Sequence, residues 1–351
     1  MKYFNDALDF LEKISEKDGV VIVFNNDGDG ICSCSLLLKF LETKGVKKPY
    51  IISQPMPMDK NLVDRIKTSF PKKIIFLDLV ADQQEDIIKK LRGFADILVV
   101  DHHKISKNLN KDNVVEFNPR FTKSGIYQST TYLMYKLCSD LIDLSEYIWI
   151  AGVGIVSDYN MEDSKDVVED VAKRYSIKAD LYDSFIGRIA DMISSTRATK
   201  IFSCEQMTDM LLKLETPEDV EKNASWEKLV KAYHMINDEL AALEIDAKEH
   251  SIKRGDAVFY EIKSNYNLGS ALSTKLSEKY RDKLVIVYNK SGSRMKVSAR
   301  NQKKNINADR VMRAACKGLS ASGGGHEAAA GATVNEKDWE KFRNRIIEML
   351  Q

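Results

Sequence analysis

The amino-acid sequence predicts an α/β protein with a mostly parallel N-terminal sheet flanked by helices, a helical connector and a smaller C-terminal α/β domain. Three observations predict this. Short, β-rich apolar runs alternate with helix-like stretches through the first half of the chain, the pattern of a parallel sheet covered on both faces. From about residue 187 to 250 the pattern is helical and highly charged. After about residue 255 strand-like runs return. The 351 residues also exceed the usual ~100–200 of one domain. The expected divisions are 1–186, 187–251 and 252–351.

Taken in order, VVIVF (20–24) is apolar and ends in a polar, Gly-containing turn, and residues 31–41 read as a helix. PYIIS (49–53), KKIIFLDL (72–79) and DILVVD (96–101) repeat the strand pattern, with a helical stretch at 82–93 between the last two. VVEF (114–117) is a fifth candidate strand, followed by helical segments at about 125–142 and 145–156. In the last third, DAVFYEI (256–262), KLVIVYN (283–289) and RMKVSAR (294–300) read as strands, with a helix at 265–280. The Gly- and Ala-rich SGGGHEAAAGATV (322–334) and a final helix close the chain. The connector's apolar spacing drifts too soon for a sustained heptad.

Composition sets limits on function. Apolar residues at 44% and charged residues at 30% are ordinary for a soluble globular chain. No run of about 18 apolar residues occurs, so no membrane partner is expected. The acidic start MKYFNDALDFLEKISEKDG reads as an amphipathic helix, not a signal peptide, so cytoplasmic residence is the expectation. Five scattered cysteines fit reduced thiols, and Cys32-x-Cys34 has no second pair to complete a zinc site. A net charge of +1 makes any positive groove a local feature.

Aspartates and histidines gather where strands should end. Asp27 and Asp29 follow the 20–24 run, Asp78 ends KKIIFLD, Asp101-His102-His103 ends ILVVDHH, and Asp158 ends the apolar run AGVGIVSD. Ligands of open α/β sheets collect outside the carboxyl ends of strands. An Asp after a buried strand is often only a turn or helix-capping residue, and a His pair is often structural. Several carboxylates at one edge are nonetheless costly without cations, and carboxylate with imidazole suits Mn²⁺ or Mg²⁺.

These motifs resemble the DHH phosphoesterase superfamily, which holds RecJ-type exonucleases and NrnA-type oligoribonucleases. Asp27-Gly28-Asp29-Gly30 resembles its D-x-D-G motif, Asp78 its second-motif aspartate, Asp101-His102-His103 its third motif, and Asp158 its fourth. EFNPRFTKSGIYQST (116–130) resembles the segment after the third motif, and SGGGHEAAAGA (322–332) the signature of the associated C-terminal domain. The resemblance implies two divalent ions, Mn²⁺ ahead of Mg²⁺, bridged by Asp78. Asp27 would bind one ion, and Asp29, His102 and Asp158 the other. His103 would donate to the attacked phosphate, and Asp101 would orient a histidine. One departure stands out. Where relatives carry His or Asp just upstream of D-x-D-G, this chain has Asn25, a neutral candidate ligand.

In the C-terminal domain, Gly323, Gly324 and Gly325 lack a Cβ, which lets backbone N–H groups approach an anion, and His326 adds a donor. Arg294 and Arg300 are six residues apart on a predicted strand and so share a face. Alone, such glycines read as a linker and such arginines as solvated charges; with the resemblance they are candidate phosphate ligands. The resemblance further implies an active-site cleft between the domains and a single-stranded DNA or short RNA substrate. The size and R-A-T-K (197–200) look more like archaeal RecJ-like proteins, which brings GINS-type replication proteins into view as partners. Two other readings stay open: a catalytically weakened scaffold of the replication complex, and a phosphatase for pAp or cyclic dinucleotides. Cleavage polarity and oligomeric state are not legible.

Overall fold

The computed structural model describes residues 2–159 and 161–351. Helix α1 (Lys2–Glu12) leads into β1 (Val20–Asn25), α2 (Gly28–Thr43), β2 (Tyr50–Gln54) and α3 (Leu62–Lys67). Next come β3 (Lys73–Leu77), α4 (Glu85–Leu91), β4 (Asp96–Val100) and β5 (Val114–Phe117). Helices α5 (Thr130–Ser139), α6 (Ile148–Ser157), α7 (Lys165–Arg174), α8 (Phe185–Thr199), α9 (Cys204–Leu212) and α10 (Glu227–His250) follow. The five strands expected from the sequence in this half all form, and they pair in the order β2-β1-β3-β4-β5, parallel throughout.

Alternation along β1 shows why both faces are covered. Val20, Ile22 and Phe24 join a core with α1, α2, α5, α6, α8 and α9. Val21 and Val23 join a second core with α3 and α4. A strand buried on both faces reads as a continuous apolar run rather than as alternation, which is what VVIVF is. Trp149, fully buried in α6, anchors the larger core, and Cys32 and Cys34 lie buried within it.

The chain divides into two compact units, Met1–Tyr233 and His234–Gln351, and the division falls within α10. The second unit adds β6 (Ile252–Arg254), β7 (Ala257–Glu261), α11 (Gly269–Lys279), β8 (Leu284–Ser291) and β9 (Arg294–Arg300). It ends with α12 (Ala308–Cys316), β10 (Ala321–Gly325), β11 (Ala329–Asn335) and α13 (Trp339–Met349). Its mixed sheet runs β10-β11-β9-β8-β7-β6, with only β7 and β8 parallel among the named pairs. Phe259, Ile286, Val297, Met312 and Phe342 lie in its core. The Gly- and Ala-rich stretch is an antiparallel hairpin: β10 and β11 pair Gly323 with Ala332 and Gly325 with Ala330. Among the described residues, no helix is long and apolar enough to cross a membrane.

The turn from β1 into α2 is packed against its own strand. A Cβ at Gly30 would lie 2.1 Å from the Asn25 carbonyl oxygen, which is backbone and has little room to yield. Gly30→Ala is therefore expected to lower unfolding stability by at least ~1–3 kcal/mol, as overpacking does. Urea denaturation of the variant checks it, and an unchanged midpoint contradicts this packing.

Candidate metal centre

A strand order of β2-β1-β3-β4-β5 reverses direction between β1 and β3. Ligand sites of such sheets lie at that switch point, beyond the carboxyl ends of the strands. Asn25 ends β1, Asp78 directly follows β3, and Asp101-His102-His103 directly follows β4. The helical layer supplies the rest: Asp29 from the first turn of α2 and Asp158 from the C-terminal cap of α6.

Each side chain is held by identifiable partners. Asp27 caps α2, its Oδ1 accepting from Gly30 N–H at 3.0 Å. Asp29 lies over the N-terminus of α5: Oδ2 accepts from Thr130 N–H (2.8 Å), and Oδ1 from Thr131 N–H (2.7 Å) and its hydroxyl (2.5 Å). A helix N-terminus favours a carboxylate through its unpaired N–H groups and dipole. Asp78 sits in the left-handed region at φ 58°, an unusual backbone for a residue with a Cβ. Its Oδ1 lies 3.2 Å from His102 Nε2 and 3.7 Å from His103 Nδ1, and its Oδ2 accepts from Asn25 Nδ2 at 3.1 Å.

His102 is buried, with Nδ1 3.5 Å from Asp158 Oδ2 and Nε2 4.0 Å from Asp29 Oδ2. His103 meets Asp101 Oδ1 through Nδ1 at 2.7 Å. The backbone carrying both rings is clamped from the following segment. Arg120 Nε donates to the His102 carbonyl (2.7 Å), and Asn118 Nδ2 to the His103 carbonyl (3.0 Å). Tyr127 stacks on the His102 ring, with centroids 5.3 Å apart, and donates its hydroxyl to the Asp158 carbonyl at 3.2 Å.

Electrostatics follow from burial. Desolvation pushes the Asp29 carboxyl up to about 7, opposed by the Thr131 hydroxyl and reinforced by the charge of Asp27. Desolvation likewise raises Asp78 and Asp158, each further raised by neighbouring aspartates. Burial alone would lower His103, but the Asp101 carboxylate outweighs it and raises the imidazole to about 9. Asp158 Oδ2 is buried and accepts no hydrogen bond among the described residues. A buried carboxylate oxygen without a donor, facing an imidazole and ringed by like charges, is the environment a cation relieves. Among the described residues, two groups hold donor atoms within 4.8 Å of one another: Asp78, Asp101, His102 and His103, and Asp29, His102 and Asp158. Carboxylate and imidazole donors of this kind fit a divalent ion such as Mn²⁺ or Mg²⁺.

The structure thus gathers Asp29, Asp78, Asp101, His102, His103 and Asp158 at one place, with Asp27 and Asn25 hydrogen-bonded at its edge. Arg294, Arg300, Gly323, Gly324, Gly325 and His326 belong to the second unit. Arg294 and Arg300 do fall on one face of β9, whose intervening Met295, Val297 and Ala299 are buried. Gly325 N–H donates to Asp309 Oδ1 at 2.7 Å, a carboxylate of the chain itself. Sequence reasoning gave no role to Asn118, Arg120, Tyr127, Thr130 or Thr131. The available signal was Ser129-Thr130-Thr131 at the start of an apolar helix, a pattern of exposed N–H donors.

Known proteins bear on this geometry. Residues 19–165 match the model of the DHH family, N-terminal domain, and residues 256–351 match the DHHA1 domain. The chain belongs to the DHH superfamily. It is 24% identical to the uncharacterized protein MJ0831 of Methanocaldococcus jannaschii, over 97% of this chain and 95% of that protein. The fold is similar to that of RecJ from Thermus thermophilus in complex with Mn²⁺, at 17% identity and a TM-score of 0.74, covering 100% of this chain and 55% of that one. The chain therefore spans about half the length of that RecJ. It is also similar to exonuclease RecJ bound to manganese, at 17% identity and a TM-score of 0.70, covering 100% of this chain and 94% of that one.

The raised carboxyls give the DHH centre a pH signature. A folded pKa above the unfolded value stabilises at low pH, and that stability is lost as pH rises through the folded pKa. For Asp29 the window runs from its ordinary 3.8 to about 7, and His103 acts in the same direction from 6.5 to about 9. In EDTA, Tm is expected to fall from pH 5 to pH 8. Mn²⁺ should restore it, more at pH 8 than at pH 5, by about 2.7 kcal/mol at a hundredfold excess over Kd. Calorimetry at both pH values checks this; a Tm indifferent to Mn²⁺ at pH 8 contradicts a metal centre here.

Proposed function

We propose that this DHH protein is a metal-dependent phosphodiesterase that releases nucleotides from single-stranded DNA or short RNA oligonucleotides. The observation that carries the reading is the convergence of Asp29, Asp78, His102 and Asp158 at the switch point, with donor atoms of Asp29, His102 and Asp158 within 4.8 Å of one another. The manganese-bound exonuclease with the same fold supports nuclease chemistry and Mn²⁺ as cofactor. Two divalent ions would be held by Asp29, His102 and Asp158 on one side and Asp27 on the other, with Asp78 between them. When bound, they lower the pKa of a water and screen the phosphate's charge.

The chain's own residues account for the remaining chemistry. His103 is kept protonated by Asp101, so its imidazolium can donate to a non-bridging phosphate oxygen as negative charge grows there. Arg120 and Asn118 fix the carbonyls of the two histidines, which helps set both ring positions. The DHH domain, assigned to 1–186, would carry the chemistry, and 187–251 would connect it to a substrate-binding domain at 252–351. There Arg294, Arg300, His326 and the backbone of Gly323 and Gly324 would hold phosphates away from the one attacked.

Labelled DNA and RNA oligomers, pAp and cyclic dinucleotides, each incubated with Mn²⁺ or EDTA, test the reading. Nucleotide release from single-stranded oligomers in Mn²⁺ alone is expected. Hydrolysis of pAp or cyclic dinucleotides only would move the substrate class, and no hydrolysis of any would leave the scaffold reading. Asp78→Ala should lower kcat/KM by more than about tenfold with the fold intact by circular dichroism. Arg300→Ala and His326→Ala should raise KM with little change in Mn²⁺ affinity, because uniform binding of remote phosphates appears in KM. Loss of Mn²⁺ from the His326 variant would reassign that residue as a metal ligand.

A further inference from the structure

The edge of the centre beside Asp27 is unlike the rest. Asn25 Oδ1 accepts from Asn26 N–H at 2.9 Å, which fixes which way the amide points. Its Nδ2 then donates to Asp27 Oδ2 at 2.6 Å and to Asp78 Oδ2 at 3.1 Å. The flipped amide would set its oxygen against two carboxylates and its NH₂ against an N–H, so this orientation is the only consistent one. Asp27 is thereby engaged at both oxygens, the other capping α2 through Gly30 N–H. Across the centre, Asp158 Oδ2 is buried with no donor among the described residues. Among the described residues, the groups close enough to share an ion include Asp29, Asp78, His102 and Asp158 but not Asp27.

We propose that the Asn25 carboxamide closes the position between Asp27 and Asp78, so that the free protein takes one divalent ion and the second binds only together with the substrate. The inference rests on the reading of the site as a two-ion centre and adds the order in which it fills. Charge-assisted hydrogen bonds are the strong ones, and the amide makes two of them without adding any charge to the site. A cation at that position has to displace the NH₂ from both carboxylates and gains only a neutral oxygen in return. An incoming phosphate changes the balance, since small divalent ions are commonly held by one or two carboxylates plus substrate phosphate oxygens. On the other side the Asp29 oxygens also accept hydrogen bonds, but no amide bridges two carboxylates there and Asp158 Oδ2 has no donor among the described residues, so that position fills first.

The experiment is Mn²⁺ stoichiometry of the full chain without substrate, by equilibrium dialysis with metal analysis, together with electron paramagnetic resonance. The wild type should hold one Mn²⁺ with an uncoupled spectrum. Asn25→Asp, or Asn25→His should the first variant fold poorly, should hold two with a spin-coupled signature. Asp27→Asn should keep the single ion within about threefold of wild-type affinity, whereas Asp158→Asn should weaken it at least about tenfold. A phosphorothioate-linked single-stranded trinucleotide should produce the spin-coupled signal in the wild type. Two ions of comparable affinity in the free wild type, or one ion still in both Asn25 variants, would overturn the ordering and leave the metal centre standing. No Mn²⁺ bound by the wild type would overturn the metal-centre reading itself, and the ordering with it.

Discussion

Placing several carboxylates out of water at one sheet edge is the constraint around which the first unit is organised. Asp29, Asp78 and Asp158 are all pushed toward protonation by burial and by one another. The surrounding structure answers part of that demand. The N-terminus of α5 offers Asp29 two backbone N–H groups and a hydroxyl. Asp101 has an imidazolium partner in His103, and Asp78 has the amide of Asn25. Asp158 Oδ2 is left without a donor among the described residues. The compensation is thus deliberate but incomplete, and the incomplete side is where His102 and Asp29 also point. Structural ion networks are compensated throughout; a binding site keeps part of its demand open for the ligand.

How far the sequence revealed this depends on the kind of interaction. Strands buried on both faces declare themselves as unbroken apolar runs, and VVIVF, KIIFL and DILVV all became strands of the first sheet. The DHH turn and Asp78 were legible because they sit immediately after those runs. Asp29 and Asp158 were legible as candidates, but their proximity depends on helices α2, α5 and α6 packing together, which no local pattern encodes. Thr130 and Thr131 illustrate the limit. Their part is to present backbone N–H groups, so little in the side-chain sequence marks them apart from a helix start. Arg120 escaped for a similar reason: its partner is the His102 carbonyl, a backbone atom.

The glycine-rich segment shows the opposite case, in which composition pointed at flexibility and pairing prevailed. Residues with small side chains face one another across β10 and β11, and β11 continues onto β9, so the ladder supplies what intrinsic propensity lacks. Pairing also answers how such a strand could meet phosphate. At its end the Gly325 N–H is already taken by the chain's own Asp309, which also accepts from Arg313 Nε. A phosphate contacting this hairpin at Gly325 must therefore compete with a carboxylate already there.

Asn25 connects these themes. An aspartate at that position would set a further carboxylate beside Asp27 and Asp78, where a donor now bridges the two. The metal-free protein would then hold another buried like charge at a site whose carboxyls are already raised. The amide relieves that repulsion in the resting state, and the same two hydrogen bonds oppose a cation entering between the carboxylates. On the two-ion reading proposed above, resting stability and capacity for a second ion are coupled through one side chain. A chain that tolerates the loss of its ions gains from asparagine, and a chain that must stay fully loaded gains from a charged or imidazole ligand. The neutral residue beside D-x-D-G need not mark a decayed centre, because the carboxylates and histidines on the other side are all in place. On the proposed reading, it changes the conditions under which the centre is complete.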